Sequence, residues 1–326
     1  MPDAEYFNSY SGSEVHRLML SDHARTDAYR RAIEAMVQPG MVVLDVGTGT
    51  GILSLFAARA GAERVFAVDN SGIIRVAERI AAANNLSDRI EFRRGLVEEV
   101  ELPGQVDMII SEWMGFFALA EHMFLSVLHA RDRFLARGGW MMPSRIKLCI
   151  VPVQDPKLHK EEGLGMWEQP VYGFDYAPMT DYELGDLSTT SQVAKDTHPL
   201  AKPAVVADID CRTARSGDFF FDSANTFEIL EDGVVHGFVG HFEAELAPGV
   251  VLSTAADQPL THWRQSWFPV RARQVRAGDQ LRIAMRATED DRSQERLPLY
   301  FMEGDHLPAG GGEVDRFFYC HHGTFD

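Results

Sequence analysis

Two stretches of this chain combine residue types and spacings that can do chemistry. The first is Asp45-Val-Gly47-Thr-Gly49-Thr-Gly51. Glycines in a GxGxG run let the backbone turn tightly and let a ligand lie against it. Ile52 stands where a dinucleotide fingerprint needs a third glycine, and no lysine follows, which excludes a phosphate loop of the nucleotide-hydrolase type. Asp69 ends the next apolar run, 18 residues after Gly51. An acid there is placed to accept both hydroxyl protons of a ribose. Its plainer alternative is to cap the following helix through Asn70-Ser71. Together these features favour S-adenosylmethionine over a nicotinamide dinucleotide.

The second stretch is Ser111-Glu112-Trp113-Met114-Gly115-Phe116-Phe117-Ala118-Leu119-Ala120-Glu121-His122-Met123. Glu112 and Glu121 are nine residues apart and bracket a glycine and an aromatic cluster. Two carboxylates on an apolar loop suit the gripping of a planar guanidinium by paired, charge-assisted hydrogen bonds. Glu121 also opens a helix, where a carboxylate complements the helix dipole. Glu112 has no comparable structural reason.

Alternating elements must position these residues. Residues 14–37 carry Val15, Leu18, Met19, Ala28, Ile33 and Met36 at helical spacing, and Asp22 at the break is placed to cap a second helix. The runs MVVLDV (41–46), RVFAVD (64–69), IEFRRG (90–95) and VDMIIS (106–111) read as buried parallel strands. Helices are predicted over 51–61, 73–85 and 122–136, the last closed by Gly138-Gly139. That alternation implies an α/β, Rossmann-like, doubly wound sheet. The pattern changes at Met142-Pro143. RIKLCIVPV (145–153) alternates, and short strand-like pieces punctuated by turns follow a Pro-, Gly- and Asp-rich stretch over 154–202. The second half therefore reads as an all-β barrel or sandwich. The division predicted is 1–142 and 143–326.

Composition narrows the partners. The net charge of −17 repels phosphate backbones, so nucleic-acid binding is disfavoured, and it attracts cationic partners. No run of about 18 apolar residues exists, so no membrane span is expected. The polar, acidic start is not a signal peptide. The three cysteines, Cys149, Cys211 and Cys320, are widely spaced without CxxC, so neither a disulfide framework nor a metal site is expected, and a reducing, cytoplasmic setting is the simplest reading.

Several motifs in one order resemble the protein arginine methyltransferase family. They are Tyr6-Phe7-Asn8-Ser9-Tyr10, His16, Met19-Leu20, Asp22, Arg25, VLDVGTGTGILS (43–54), GLVEEVELP (95–103), SEWMG (111–115), VYGFD (171–175) and Thr261-His262-Trp263. The resemblance spans most of the chain. It implies a class I S-adenosylmethionine-dependent methyltransferase domain followed by a β-barrel. An inserted helical arm over about 157–200 would be gripped by a second copy in a head-to-tail homodimer. Arg25 would hold the methionine carboxylate of the cofactor and Asp69 its ribose. Val97 and Glu98 would border adenine, and His16, Asp45 and the glycines Gly47, Gly49 and Gly51 would complete the cofactor site. Glu112 and Glu121 would clamp the acceptor, with Met19 and Met123 lining the transfer channel. Met114, Phe116 and Trp263 would border the acceptor, and Tyr10 would close a lid helix. His262 and Asp22 would form a proton-exit pair. S-adenosylhomocysteine would be the product.

Bland roles compete with several of these. Met19 and Met123 suit core filling, Asp22 a helix cap, and His262 a structural histidine. The family usually has tyrosines where this chain has Phe116 and Ala120, which enlarges and dries the pocket. That departure keeps a second acceptor open: a small neutral aromatic metabolite such as an indole, whose ring N–H would give its proton to one carboxylate. The arginine acceptor is preferred because both glutamates and the Thr-His-Trp segment are intact. A scaffold that binds cofactor without turnover is a third, weaker reading.

Overall fold

Short apolar runs buried on both faces can satisfy their backbone inside a parallel sheet, and three of them do so here: β1 (Val42–Val46), β2 (Arg64–Asp69) and β4 (Val106–Ser111). A fourth strand, β3 (Ile90–Arg94), lies at the sheet edge with only Ile90 buried. With β5 (Leu135–Met142) they form a five-stranded parallel sheet in the order β3-β2-β1-β4-β5. The computed structural model that shows this describes residues 12–119, 123–185, 187–289 and 297–323. Tyr10, Ala120 and Glu121 lie outside the described residues.

The sheet order reverses beside β1, where ligands bind in folds of this kind. Val46 pairs with Val68 on one side and Ser111 on the other, so the glycine loop, the Asp69 turn and the Glu112 loop all leave the same edge. The helix Ile52–Ala60 follows the glycine loop and ends on Gly61 in the left-handed conformation.

Two sequence expectations need correction. The helix expected over 122–136 spans Met123–Phe134, and Gly138-Gly139 lie inside β5 rather than closing it. The pairing of β4 with β5 shifts register between Val106–Leu135 and Met108–Trp140, and the glycines occupy that irregularity. In the helix Ser13–Ser21, Leu18 and Leu20 are exposed and His16 is the buried residue. That helix covers the glycine loop rather than the core, so its apolar spacing does not mark a core face. Asp22 does break the helical run: its Oδ1 accepts from the Arg25 amide at 2.9 Å and caps the helix His23–Met36.

From Arg145 onward the strands are mainly antiparallel. One sheet follows the path 204–210, 145–154, 233–247, 265–275 and 190–192, with 250–253 and 198–199 added beside it. The second runs 222–228, 280–289, 298–307, 315–322 and 187–188. Their inner faces meet through buried aromatics, as where Phe227 lies 6.0 Å from Phe238 and Phe268 lies 5.3 Å from Tyr300. The strands Pro298–Leu307 and Asp315–His322 were not anticipated, because Leu299-Tyr-Phe-Met302 is a continuous apolar run that hides a period of two. The barrel-like domain is tied to the parallel-sheet domain by Arg131, whose Nη1 donates to the carbonyls of Cys211 at 2.9 Å and Ala214 at 2.7 Å.

The segment expected as an arm divides into parts. Its start, the helix Pro156–Glu162, buries Leu158 against the barrel, and its end supplies strands to both sheets. Between them, Tyr172, Phe174 and Tyr182 are exposed. Among the described residues no helix is long and apolar enough to cross a membrane, and no group of three or more metal-ligating side chains forms.

Candidate active site

Asp45 sits on the central strand and is fully buried. Its Oδ2 accepts from Thr48 Oγ1 at 2.7 Å and Ser54 Oγ at 2.6 Å, which braces the glycine loop from beneath. Its Oδ1 is buried with no hydrogen-bond partner. Burial is the main influence on this carboxyl and pushes its pKa up to about 6, with the Ser54 and Thr48 hydroxyls pulling the other way. The folded chain therefore holds this proton to higher pH than the unfolded chain does. The associated stability is complete below the ordinary carboxylate range and is lost as pH rises through about 6. The upward shift corresponds to about 3 kcal/mol. Urea unfolding at pH 4.5 and 7.5 should show Asp45→Asn losing less stability than the unaltered chain over that interval. Identical pH dependence in both would mean that Asp45 does not titrate this way.

Asp69 braces the Asn70-Ser71 turn, as its plainer reading expected in part, but it caps no helix: the helix Ile74–Ala83 that follows has no side-chain cap. Its Oδ1 accepts from the Ser71 amide at 2.8 Å and hydroxyl at 2.6 Å, and its Oδ2 accepts from the Gly49 amide at 2.8 Å. It thus ties the end of β2 to the glycine loop and keeps spare lone-pair capacity for a ligand. His16 lies behind Gly49, and Met123 lies against Gly47 so closely that a Cβ there would be 2.5 Å from Met123 Cε. After β3, Val97 is buried and Glu98 Oε2 is enclosed without a partner. Orphaned acceptors at Asp45 and Glu98, together with a loop whose glycines leave no side chains in the way, fit a ligand that brings its own donors. S-adenosylmethionine, with an ammonium, ribose hydroxyls and an adenine amine, is such a ligand.

The acceptor side is built on an ion pair. Arg25 Nε and Nη2 both donate to Glu112 Oε2, at 3.0 and 2.6 Å, and both side chains are almost wholly buried. Burial lowers the pKa of Arg25, but Glu112 more than offsets it and the net shift is upward. Glu112 Oε1 accepts from the Met114 amide at 3.1 Å. Met19 stands beside the pair, its Sδ 3.8 Å from Arg25 Nη2. Phe116 is half-buried in the same loop.

Asp22 reaches across to the second domain. Its Oδ2 accepts from the His262 amide at 2.8 Å and lies 2.7 Å from His262 Nδ1. Burial pushes this carboxyl up, but the hydrogen bonds from His262 and Arg25 outweigh it, and its pKa falls below the ordinary value. With Asp22 ionised, Nδ1 is the ring nitrogen of His262 that donates to it. Trp263, next along, donates from Nε1 to the Met114 carbonyl at 2.7 Å. Asp22 therefore caps, as its bland reading held, and also pairs with His262.

One supporting residue escaped the sequence reading. Tyr29 is fully buried, and its hydroxyl donates to the Ser111 carbonyl at 3.0 Å, just before Glu112. It lies one helical turn after Arg25, so the i, i+4 spacing was the signal that could have found it.

Comparison with known proteins agrees with this geometry. Residues 144–302 match a family model described as the arginine methyltransferase oligomerization subdomain, and residues 21–146 match one described as ribosomal protein L11 methyltransferase. Protein arginine N-methyltransferase 1 of Dictyostelium discoideum is 40% identical over 267 residues, covering 80% of this chain and 77% of that protein. The protein of the same name from Schizosaccharomyces pombe is 39% identical over 288 residues, covering 85% and 82%. Among solved structures, Arabidopsis thaliana protein arginine methyltransferase 10 superposes with a TM-score of 0.86 at 30% identity, over 97% of this chain and 99% of that one. The Trypanosoma brucei PRMT1 enzyme–prozyme heterotetrameric complex with AdoHcy gives 0.84 at 31%, over 96% and 99%. With matched sequence running through both the parallel-sheet and barrel-like domains, this chain belongs to the protein arginine methyltransferase family.

Proposed function

We propose that this chain transfers the methyl group of S-adenosylmethionine to a guanidino nitrogen of an arginine in a peptide or protein, leaving S-adenosylhomocysteine. The observation that carries the reading is Glu112, a buried carboxylate already paired with a guanidinium, that of Arg25. Such a group suits a cationic acceptor. The relatives are named for arginine N-methylation, so the small aromatic acceptor is not favoured.

The cofactor, when bound, supplies a methyl group activated on a sulfonium. The chain's residues position and deprotonate. Asp45, Asp69, Glu98 and the glycine loop hold the donor. Arg25 is placed to meet the donor's carboxylate while donating to Glu112. Glu112 and Glu121 grip the acceptor guanidinium and localise its charge on two nitrogens, which leaves electron density on the attacking one. Orientation of this kind is worth up to about 7–11 kcal/mol of the barrier. The His262–Asp22 pair is placed to pass on the proton released. Mass spectrometry of methyl transfer to a panel of arginine peptides and indole metabolites tests the acceptor. Transfer to indoles alone would overturn the reading.

The domain boundary is placed at 142/143, between the last parallel strand and the first antiparallel one. We also infer that the exposed part of the 157–200 segment, around Tyr172, Phe174 and Tyr182, joins two copies into a homodimer. Aromatic side chains exposed on a projecting segment support this. Light scattering should give a dimer for the unaltered chain and a monomer for Tyr172→Ser/Phe174→Ser. A dimer from both would rule out the arm. The net charge of −17 supports a basic protein partner rather than nucleic acid or an anionic membrane. A cytoplasmic setting is supported by the three widely spaced cysteines, of which burial pushes Cys149 up to about 11 and Cys211 up to about 12.

A further inference from the structure

The loop that begins at Glu112 enters the barrel through a single ring. Phe117 lies five residues after Glu112 and four before Glu121. Its side chain is buried and meets Phe268 edge-on at 5.4 Å and Tyr300 edge-on at 5.8 Å. Phe268 and Tyr300 come from the two different barrel sheets, so the ring is seated where both converge. Room for it exists because residue 240 is glycine. A Cβ there would stand 2.8 Å from Phe117 Cε2 and 2.9 Å from Phe268 Cε2. Gly240 pairs with Ile150 on one side and Ser266 on the other, so the strand cannot retreat to make that space another way.

The backbone at this point is strained. Phe117 has φ +48° and Ala118 has φ +58°. Residues with a Cβ enter the left-handed region at a cost, and two in succession persist only where their surroundings over-determine them. The hydrogen bond from the Ala118 amide to the Gly115 carbonyl at 2.9 Å closes the turn locally. The ring seat fixes it from outside. Upstream, Trp263 holds the Met114 carbonyl, so the loop is tied to the barrel at two points.

We propose that Phe117 is a positioning residue for methyl transfer: its ring, seated in the barrel under Gly240, sets the turn that follows Glu112 and so the placement of that carboxylate. The proposal rests on the arginine acceptor reading above. The ring's aromatic partners, Phe268 and Tyr300, belong to the barrel, so its effect falls on the acceptor side of the reaction. The barrel thereby acts on the placement of Glu112, not only on the acceptor's outer contacts.

Two substitutions at this position separate the ring from the backbone. Phe117→Gly accepts the left-handed conformation without cost but removes the ring. Phe117→Leu keeps an apolar anchor of smaller size. For Phe117→Gly, kcat on an arginine peptide should fall about tenfold to a hundredfold while the Kd for S-adenosylhomocysteine stays within about twofold, because misplacement near 1 Å costs rate rather than donor binding. Phe117→Leu should fall between this variant and the unaltered chain, and it carries the comparison by itself if the glycine variant does not fold. Unchanged kcat in a folded variant, or donor affinity falling in parallel with kcat, would overturn the positioning role. The unaltered chain is assayed alongside. If it binds S-adenosylhomocysteine but methylates no arginine peptide, the acceptor reading fails and this proposal falls with it. If it is active, any failure belongs to Phe117 alone.

Discussion

Glu112→Gln and Glu121→Gln should each lower kcat/KM on an arginine peptide by about 2–5 kcal/mol, the cost of truncating one side of a desolvated charge pair. Glutamine keeps the shape of glutamate but offers a neutral group where a cation must be held. If, as proposed, both carboxylates act on one guanidinium, the double variant should lose less than the sum of the two. Steady-state kinetics on the three variants decide the matter. A neutral acceptor needs only one base, and a strongly one-sided loss would count against the guanidinium clamp. Glu112 carries a second duty, since its Oε2 pairs with Arg25. The assay therefore belongs well below the unfolding temperature of Glu112→Gln, where lost stability does not enter the rate.

Arg25→Ala should destabilise the ligand-free chain by about 3–5 kcal/mol, the usual cost of leaving a buried charge without its partner. The Glu112 side chain is 8% exposed, so water cannot take over the role of the guanidinium. The double variant Arg25→Ala/Glu112→Ala should recover part of that loss, because the uncompensated carboxylate is gone. Urea unfolding of Arg25→Ala, Glu112→Ala, the double variant and the unaltered chain gives the comparison. Strict additivity of the two substitutions would show that the pair contributes nothing as a pair. Calorimetry on Arg25→Ala should also show weaker S-adenosylhomocysteine binding, the outcome expected if Arg25 meets the donor carboxylate.

The sequence by itself determined what is local. The three inner strands β2, β1 and β4 stood out as short apolar runs, because burial on both faces leaves no room for polar alternation. The glycine loop and Asp69 were legible together because a strand, a tight turn and a helix follow one another within a few residues. The Asp22 cap was legible for the same reason, since its partner amide at Arg25 is three positions away. Glu112 stood out by contrast, as a charge at the end of a buried strand. Where local signals competed, they misled. Gly138-Gly139 has the look of a helix stop, yet sheet pairing with β4 claims both residues. Leu18 sits at helical spacing, yet its helix covers a loop and leaves it exposed.

Only the tertiary structure decided which of these residues meet. Arg25 and Glu112 are 87 positions apart and form one buried pair. Asp22 and His262 are 240 positions apart, on different domains, and share one hydrogen-bonded network with Arg25. No periodicity encodes such pairings, because they depend on which strand edges the crossover connections bring together and on how the barrel docks against them. Phe117 is the plainest case. In sequence it is one apolar residue in an aromatic run, but the missing Cβ of Gly240, on a strand more than a hundred residues later, makes it the anchor of the carboxylate loop. Close packing leaves a side-chain-sized space in few places, and where that space falls is a property of the assembled core rather than of any one segment.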